Sequence, residues 1–253
     1  MHREMSALSI VMILGLSLSS FAQQRAQDAK VAEPKSAVLL FREDFKSGLP
    51  NQLPLLPEHL TNSNLELKLY GPGAKAGKDG QSGLWLDDEE DPANPGQKTS
   101  YVWSGVAPGS WAVMLREKNN YLDLRGPARL RWRTRPRGLH TLHPLIKLAD
   151  GTMLVADYGE PSSTYWRESE IYFIDIPRWR SLDPATVAEA PRKAGEPVWT
   201  TNVDLSQVDE IGFTDLMAGA GKGAQGNSGI DWIEVYGNPV RRSKASANPG
   251  QGQ

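Results

Sequence analysis

Eight tryptophans and a run of alternating arginines are the residues of this chain whose types and spacing could do chemistry together. An indole is flat and apolar on its faces, so an exposed ring covers the C–H face of a pyranose while polar neighbours take up its hydroxyls. Trp132 and Trp232 sit in the middle of extended apolar runs and are expected in the core. Trp85, Trp103, Trp166 and Trp179 lie at the ends of such runs or in stretches rich in Gly, Ser and Asp, where loops leave rings accessible. Trp166 with Tyr165 forms the best pair among them. In the segment Leu-Arg-Trp-Arg-Thr-Arg, Arg131, Arg133 and Arg135 alternate with Leu130, Trp132 and Thr134, so an extended backbone sends the three guanidinium groups out of one face. Guanidinium meets planar oxyanions with paired hydrogen bonds, which suits uronate or sulfate and therefore an acidic polysaccharide. The same row also fits a solvated outer face whose charges are matched by acids on neighbouring strands.

Catalytic patterns are weak by comparison. Retaining sandwich glycosidases present two carboxyl groups about 5 Å apart. Here Glu170 and Asp175 face opposite ways along an extended segment, and only Glu168 and Glu170 share a side. Tyr158, Tyr165, His140 and Arg133 offer the residue types of a polysaccharide lyase, but their spacing does not demand it. There is no Gly-x-Ser-x-Gly elbow, and the glycine-rich stretch 219–229 follows a strand without opening a helix, which argues against a phosphate cradle. His140 and His143 would face opposite sides of a strand, a poor start for a zinc site. The acidic run at 87–91, ahead of Pro92, reads as a solvated loop without the alternating ligand spacing of a twelve-residue calcium loop.

The elements that would position these groups are strands. Gly and Pro punctuate short β-branched and aromatic runs at 37–45, 65–70, 111–115, 121–124, 130–135, 145–148, 152–157, 170–176, 210–214 and 229–236. Asp150-Gly151 suits a tight hairpin turn, and Asp183 with Pro184 opens at most one helical turn. So many strands must bury their apolar faces against one another, which predicts an all-β fold, a two-sheet antiparallel β-sandwich with long loops. Residues 1–22 have an early Arg3, a short apolar stretch and Ser20-Phe21-Ala22, the pattern of a cleavable export signal. A polar linker at 23–36, a domain at 37–238 and a disordered tail at 239–253 complete the expected organisation. With no cysteine there is neither a disulfide framework nor a thiolate site, and a formal net charge of -2 gives no steering toward nucleic acid. The apolar stretch within 1–22 is short of the roughly 20 apolar residues needed to span a membrane, and no other long apolar run follows.

The run Val-Asp-Leu-Ser-Gln-Val-Asp-Glu-Ile-Gly-Phe at 203–213, the later Ile-Asp-Trp-Ile-Glu-Val-Tyr-Gly at 230–237 and the opening Phe-Arg-Glu-Asp-Phe-Lys-Ser-Gly at 41–48 resemble the closing and opening strands of galactose-binding-like jelly rolls, a fold shared by many carbohydrate-binding modules. The resemblance covers mainly the two ends of the domain and does not extend to the stretch from about 70 to 203. It implies that the first and last strands are neighbours, and that Glu43, Asp44 and Asp231 approach one another around a structural calcium. The alternative is that these acids are solvated or pair with Arg42. Three functions follow as expectations: a secreted or periplasmic, non-catalytic carbohydrate-binding module with Trp85, Trp103, Arg131, Arg133, Arg135, Tyr165, Trp166 and Trp179 as ligand contacts; a small sandwich lyase or hydrolase; and a protein-interaction domain.

Overall fold

The computed structural model describes residues 36–45, 52–79, 82–90, 95–217 and 227–242. The expected export signal and most of the linker and tail lie outside these residues. Among the described residues every strand pairing is antiparallel, and the strands form two sheets that share one long member.

In the first sheet, sheet A, β8 (Arg129–Thr134) lies between β11 (Arg167–Tyr172) and β15 (Gly229–Arg241). The other edge of β15 is taken by β1 (Val38–Glu43) and, nearer its start, by β5 (Lys98–Trp103), which continues to β4 (Trp85–Glu90) and β2 (Leu53–Pro54). The expected adjacency of first and last strands is therefore present, with Arg42 opposite Glu234 and Glu43 opposite Ile233. Sheet B runs β3 (Leu65–Tyr70), β6 (Trp111–Glu117), β14 (Val208–Asp215), β9 (His143–Leu148), β10 (Met153–Ala156), β12 (Trp179–Asp183) and β13 (Ala188–Glu189). The short β7 (Asn120–Asp123) pairs with the last residues of β15. That pairing, Val240 opposite Tyr121 among others, carries ordered backbone to Arg241, past the expected domain boundary at 238.

Alternation decides what is inside. Leu130, Trp132 and Thr134 of β8 are fully buried and lie opposite Val235, Ile233 and Ile230 of β15. From sheet B come Trp111, Val113, Leu115, Ile211 and Phe213. Phe213 takes both Trp111 and Phe45 edge to face at 6.1 and 6.4 Å, the geometry the ring quadrupole favours. Each of these large side chains contributes about 1.5–3 kcal/mol by leaving water.

Asp150-Gly151 forms the expected turn: Gly151 has φ +92°, and Asp150 Oδ1 accepts the Thr152 N–H at 2.8 Å. Two readings are corrected. The segment 170–176 is not one strand, because β11 stops at Tyr172 and a 3₁₀ turn (Phe173–Asp175) buries Phe173. The acidic run is not a loop, since 87–90 belong to β4 and pair with β5. Strand β12 was not legible, but the single turn after it was: Asp183 Oδ1 accepts the Ala185 N–H at 2.8 Å and the Asp183 carbonyl the Val187 N–H at 2.7 Å. That turn carries Val187 onto the outer face of sheet B, where Met114, Leu145, Met153, Val155 and Leu182 form a second apolar cluster.

Candidate functional site, an arginine and aromatic face

The outer face of sheet A collects most of the residues singled out from the sequence. Because Leu130, Trp132 and Thr134 point inward, Arg129, Arg131 and Arg133 stand together on the outside. Arg135 lies just past the strand but returns its guanidinium to the same face, 4.4 Å from the centre of the Trp166 ring. Tyr101 of β5 meets Trp166 edge on, with ring centres 5.3 Å apart. Gly229 makes this packing fit: a Cβ there would lie 3.2 Å from the Trp166 ring and 3.5 Å from Tyr101.

Glu89 is the anchor of the cluster. It receives the Trp166 indole N–H at 2.6 Å and both terminal nitrogens of Arg135 at 2.5 and 2.6 Å. A bidentate guanidinium–carboxylate pair of this kind is among the stronger polar contacts a protein makes. Neither Glu89 nor Tyr101 was singled out from the sequence, because the first was hidden in an acidic run and the second in a segment without clear alternation. Two arginine guanidiniums over one ring, Arg133 at 5.4 Å being the other, hold the indole plane in place.

The arginine row is not a bare cationic surface. Arg131 lies 3.0 Å from Glu234, 3.4 Å from Glu170 and 3.8 Å from Glu168. Arg133 meets Asp231 at 2.6 Å, and Arg129 meets Glu170 at 3.4 Å. Burial holds the Asp231 carboxyl above its ordinary pKa, with the hydrogen bond and charge of Arg133 pulling the other way. Carboxylates on β4, β11 and β15 thus match the guanidinium groups across the face.

Several expected rings are elsewhere. Trp179 is 3% exposed and packs into the main core, and Trp85 is 6% exposed with its indole N–H on the Ser82 carbonyl at 2.9 Å. Neither is available to a ligand: Trp179 heads a strand and faces inward with it, and Trp85 lies under the neighbouring loop. Trp103 is half-buried opposite Trp85. Trp132 is core as expected. Trp232 is buried on the outer face instead of between the sheets, under Arg42 at 4.5 Å and Arg131 at 5.7 Å, because an irregularity between Ile230 and Trp232 shifts the alternation of β15. Tyr165 remains open, with 73% of its surface exposed, in a turn fixed by the Ser163 hydroxyl.

The acids expected around calcium all have partners within the protein. Glu43 is fully buried; one oxygen accepts the N–H groups of Phe45 and Thr61, both at 2.8 Å, and the other that of Asn62 at 3.0 Å. With the Thr61 hydroxyl at 3.0 Å, four donors share the two oxygens of this carboxylate. Asp44 pairs with Arg42 and Asp231 with Arg133. Among the described residues no three His, Asp or Glu side chains converge.

No family model matches the chain, and no curated protein matches it. Solved structures do. The family 11 carbohydrate-binding module of the cellulosomal cellulase Lic26A-Cel5E of Clostridium thermocellum is similar at 14% identity over 82% of this chain and 98% of its own, with a TM-score of 0.42. The Clostridium thermocellum family 11 module in complex with a β-1,3-1,4-mixed-linked tetrasaccharide is similar at 14% identity, 76% and 98% coverage and a TM-score of 0.41. An exo-β-agarase is similar at 10% identity over 83% of this chain and 26% of that enzyme, with a TM-score of 0.39. Among the described residues no helix is long and apolar enough to cross a membrane.

A second polar cluster lies on the outer face of sheet B. The Tyr70 hydroxyl reaches Glu210 at 2.9 Å, and the Lys147 ammonium donates to Tyr70 at 2.9 Å and to Glu210 at 3.1 Å. Burial pulls Lys147 down, but the hydrogen bonds and charge of its partners outweigh it and leave its pKa above the ordinary value. Burial, with the nearby Glu210, also raises Tyr70 against the opposing effect of Lys147. Both groups keep their proton longer in the folded chain than in the unfolded one. Their stabilisation is therefore complete at neutral pH and lost as pH rises past about 10, the ordinary range of both groups. The urea midpoint is expected to fall above that pH and to fall less steeply in Tyr70→Phe; an equal slope in the variant removes this assignment.

Proposed function

We propose that this chain is an exported, non-catalytic carbohydrate-binding β-sandwich whose ligand lies across the Tyr165–Trp166 end of sheet A. The observation that carries the reading is that an accessible ring, Tyr165, directly precedes an indole locked edge and face by Glu89, Arg133 and Arg135. A rigid ring gives up little conformational entropy when a sugar stacks on it, and the planar polar groups beside it are already oriented for hydroxyls. The export pattern at 1–22 would deliver the domain to where polysaccharides are found.

Selection of an acidic polysaccharide is not part of the proposal, because each arginine of the row faces a carboxylate. Affinity electrophoresis against neutral β-glucans and agarose, with alginate and pectin alongside, tests the reading. Retardation by a neutral polysaccharide is expected, with Tyr165→Ala weakening it about tenfold, or about 1.4 kcal/mol. That variant should keep the wild-type melting temperature, since the ring is on the surface. No retardation by any polymer would sink the proposal. Salt-sensitive retention by alginate or pectin alone would restore the acidic reading, and release of reducing ends would overturn the non-catalytic part.

A further inference from the structure

At the opposite end of β15, where it leaves sheet A for sheet B, the chain forms a cleft of about 360 Å³. This lies at the low end of the roughly 300–1,000 Å³ range of small-molecule sites. Its lining divides by chemistry. Leu39, which is 49% exposed, lies with Leu122 and Pro239 on the apolar side. Asn64, Asn119 and Asn120 supply amides. Among the described residues the side-chain amides of Asn64 and Asn120 have no hydrogen-bond partner.

The amide side is built, not incidental. Glu117 is 8% exposed and its carboxylate gathers the backbone N–H groups of Asn119, at 3.0 Å, and Asn120, together with the Asn119 side-chain amide at 3.3 Å. The turn between β6 and β7 is therefore held from beneath. Asn62 is likewise fixed, donating to the Arg42 carbonyl at 3.3 Å and accepting the Asn64 N–H at 3.0 Å.

We infer that this cleft is a second binding site, separate from the Tyr165 face, for one or two residues of a neutral sugar. An amide offers a donor and an acceptor side by side, which matches a pair of neighbouring hydroxyls, while the apolar wall suits the C–H face of the ring. Among the described residues lining the cleft there is no Arg, Lys or His, and its one charged group is the carboxylate of Glu117. An anionic sugar would be repelled there.

The test uses the ¹⁵N-labelled full chain titrated separately with glucose, galactose, cellobiose and glucuronate, followed by NMR. At least one neutral sugar is expected to move the side-chain amides of Asn64, Asn119 and Asn120 saturably, with no response to glucuronate. Asn64→Ala and Asn120→Ala should each weaken the interaction at least tenfold, and Leu39→Asp should abolish it by placing a charge on the apolar wall. Leu39 and Asn64 are accessible, so those two variants keep the native spectrum. Tyr165→Ala should leave the titration unchanged, which separates failure here from failure of the first site. Absence of a saturable shift with every neutral sugar, shifts unaltered by the asparagine variants, or equal binding of glucuronate would overturn the inference.

Discussion

Glu43→Ala is expected to destabilise the domain by about 3–5 kcal/mol, because it strips the acceptor from three backbone N–H groups at once. Those groups belong to Phe45, Thr61 and Asn62, and the Thr61 hydroxyl is a fourth donor at 3.0 Å. The same carboxylate holds Phe45 at φ +47°, a left-handed conformation that a bulky residue adopts only under constraint, and so directs its ring onto Phe213. Without it both the backbone turn and one edge of the core lose their support. Glu43→Gln should lie between wild type and alanine, since its amide keeps one accepting oxygen but turns N–H groups toward another donor. Thermal melts check both variants. A chelator should leave the wild-type melting temperature unchanged. A chelator-induced drop that disappears in Glu43→Ala would show instead that the seam of first and last strands holds a cation.

Gly212→Ala should be comparably damaging despite adding a single carbon. A Cβ on Gly212 would sit 1.9 Å from the Val113 carbonyl oxygen and 2.9 Å from the Met114 Cα, both backbone atoms that cannot swing away. Gly212 lies in β14 between Met114 of β6 and Leu145 of β9, so relief on one side disturbs pairing on the other. Overpacking of this kind costs about 1–3 kcal/mol or more, and relief through the backbone puts this site at the upper end. At roughly 2–4 °C per kcal/mol for a chain of this size, the melting temperature should fall by about 6–12 °C. A shift within two or three degrees would mean that β14 can bend away from β6.

These two residues show where reading the sequence succeeds and stops. The run 210–214 is legible as a strand from its β-branched and aromatic content, and it is one. Nothing in the run says that its glycine is there for want of room, because the carbonyl that crowds it lies far away in the chain. Glu43 is legible as an acid near the end of the first strand, next to the last. Whether an acid there collects a metal or backbone amides depends on the loop at 61–62, whose placement no local pattern reports. The arginine row is similar: alternation put Arg131 and Arg133 on one face, but the acids that neutralise them come from β11 and β15.

By itself the sequence determined the strand-rich architecture, the inward set of β8 and the Asp150-Gly151 turn, while the adjacency of the first and last strands was implied by the resemblance to jelly rolls. The first three follow from short-range rules: residue alternation, turn stereochemistry and the need to cover an apolar face. Tertiary structure alone decided which rings stay in water and which carboxylate meets which guanidinium, and it alone brought Leu39, Asn64, Asn120 and Pro239 to one cleft. Exposure and charge pairing are set by whichever strand happens to lie alongside, and that neighbour is chosen by the closure of the whole sandwich.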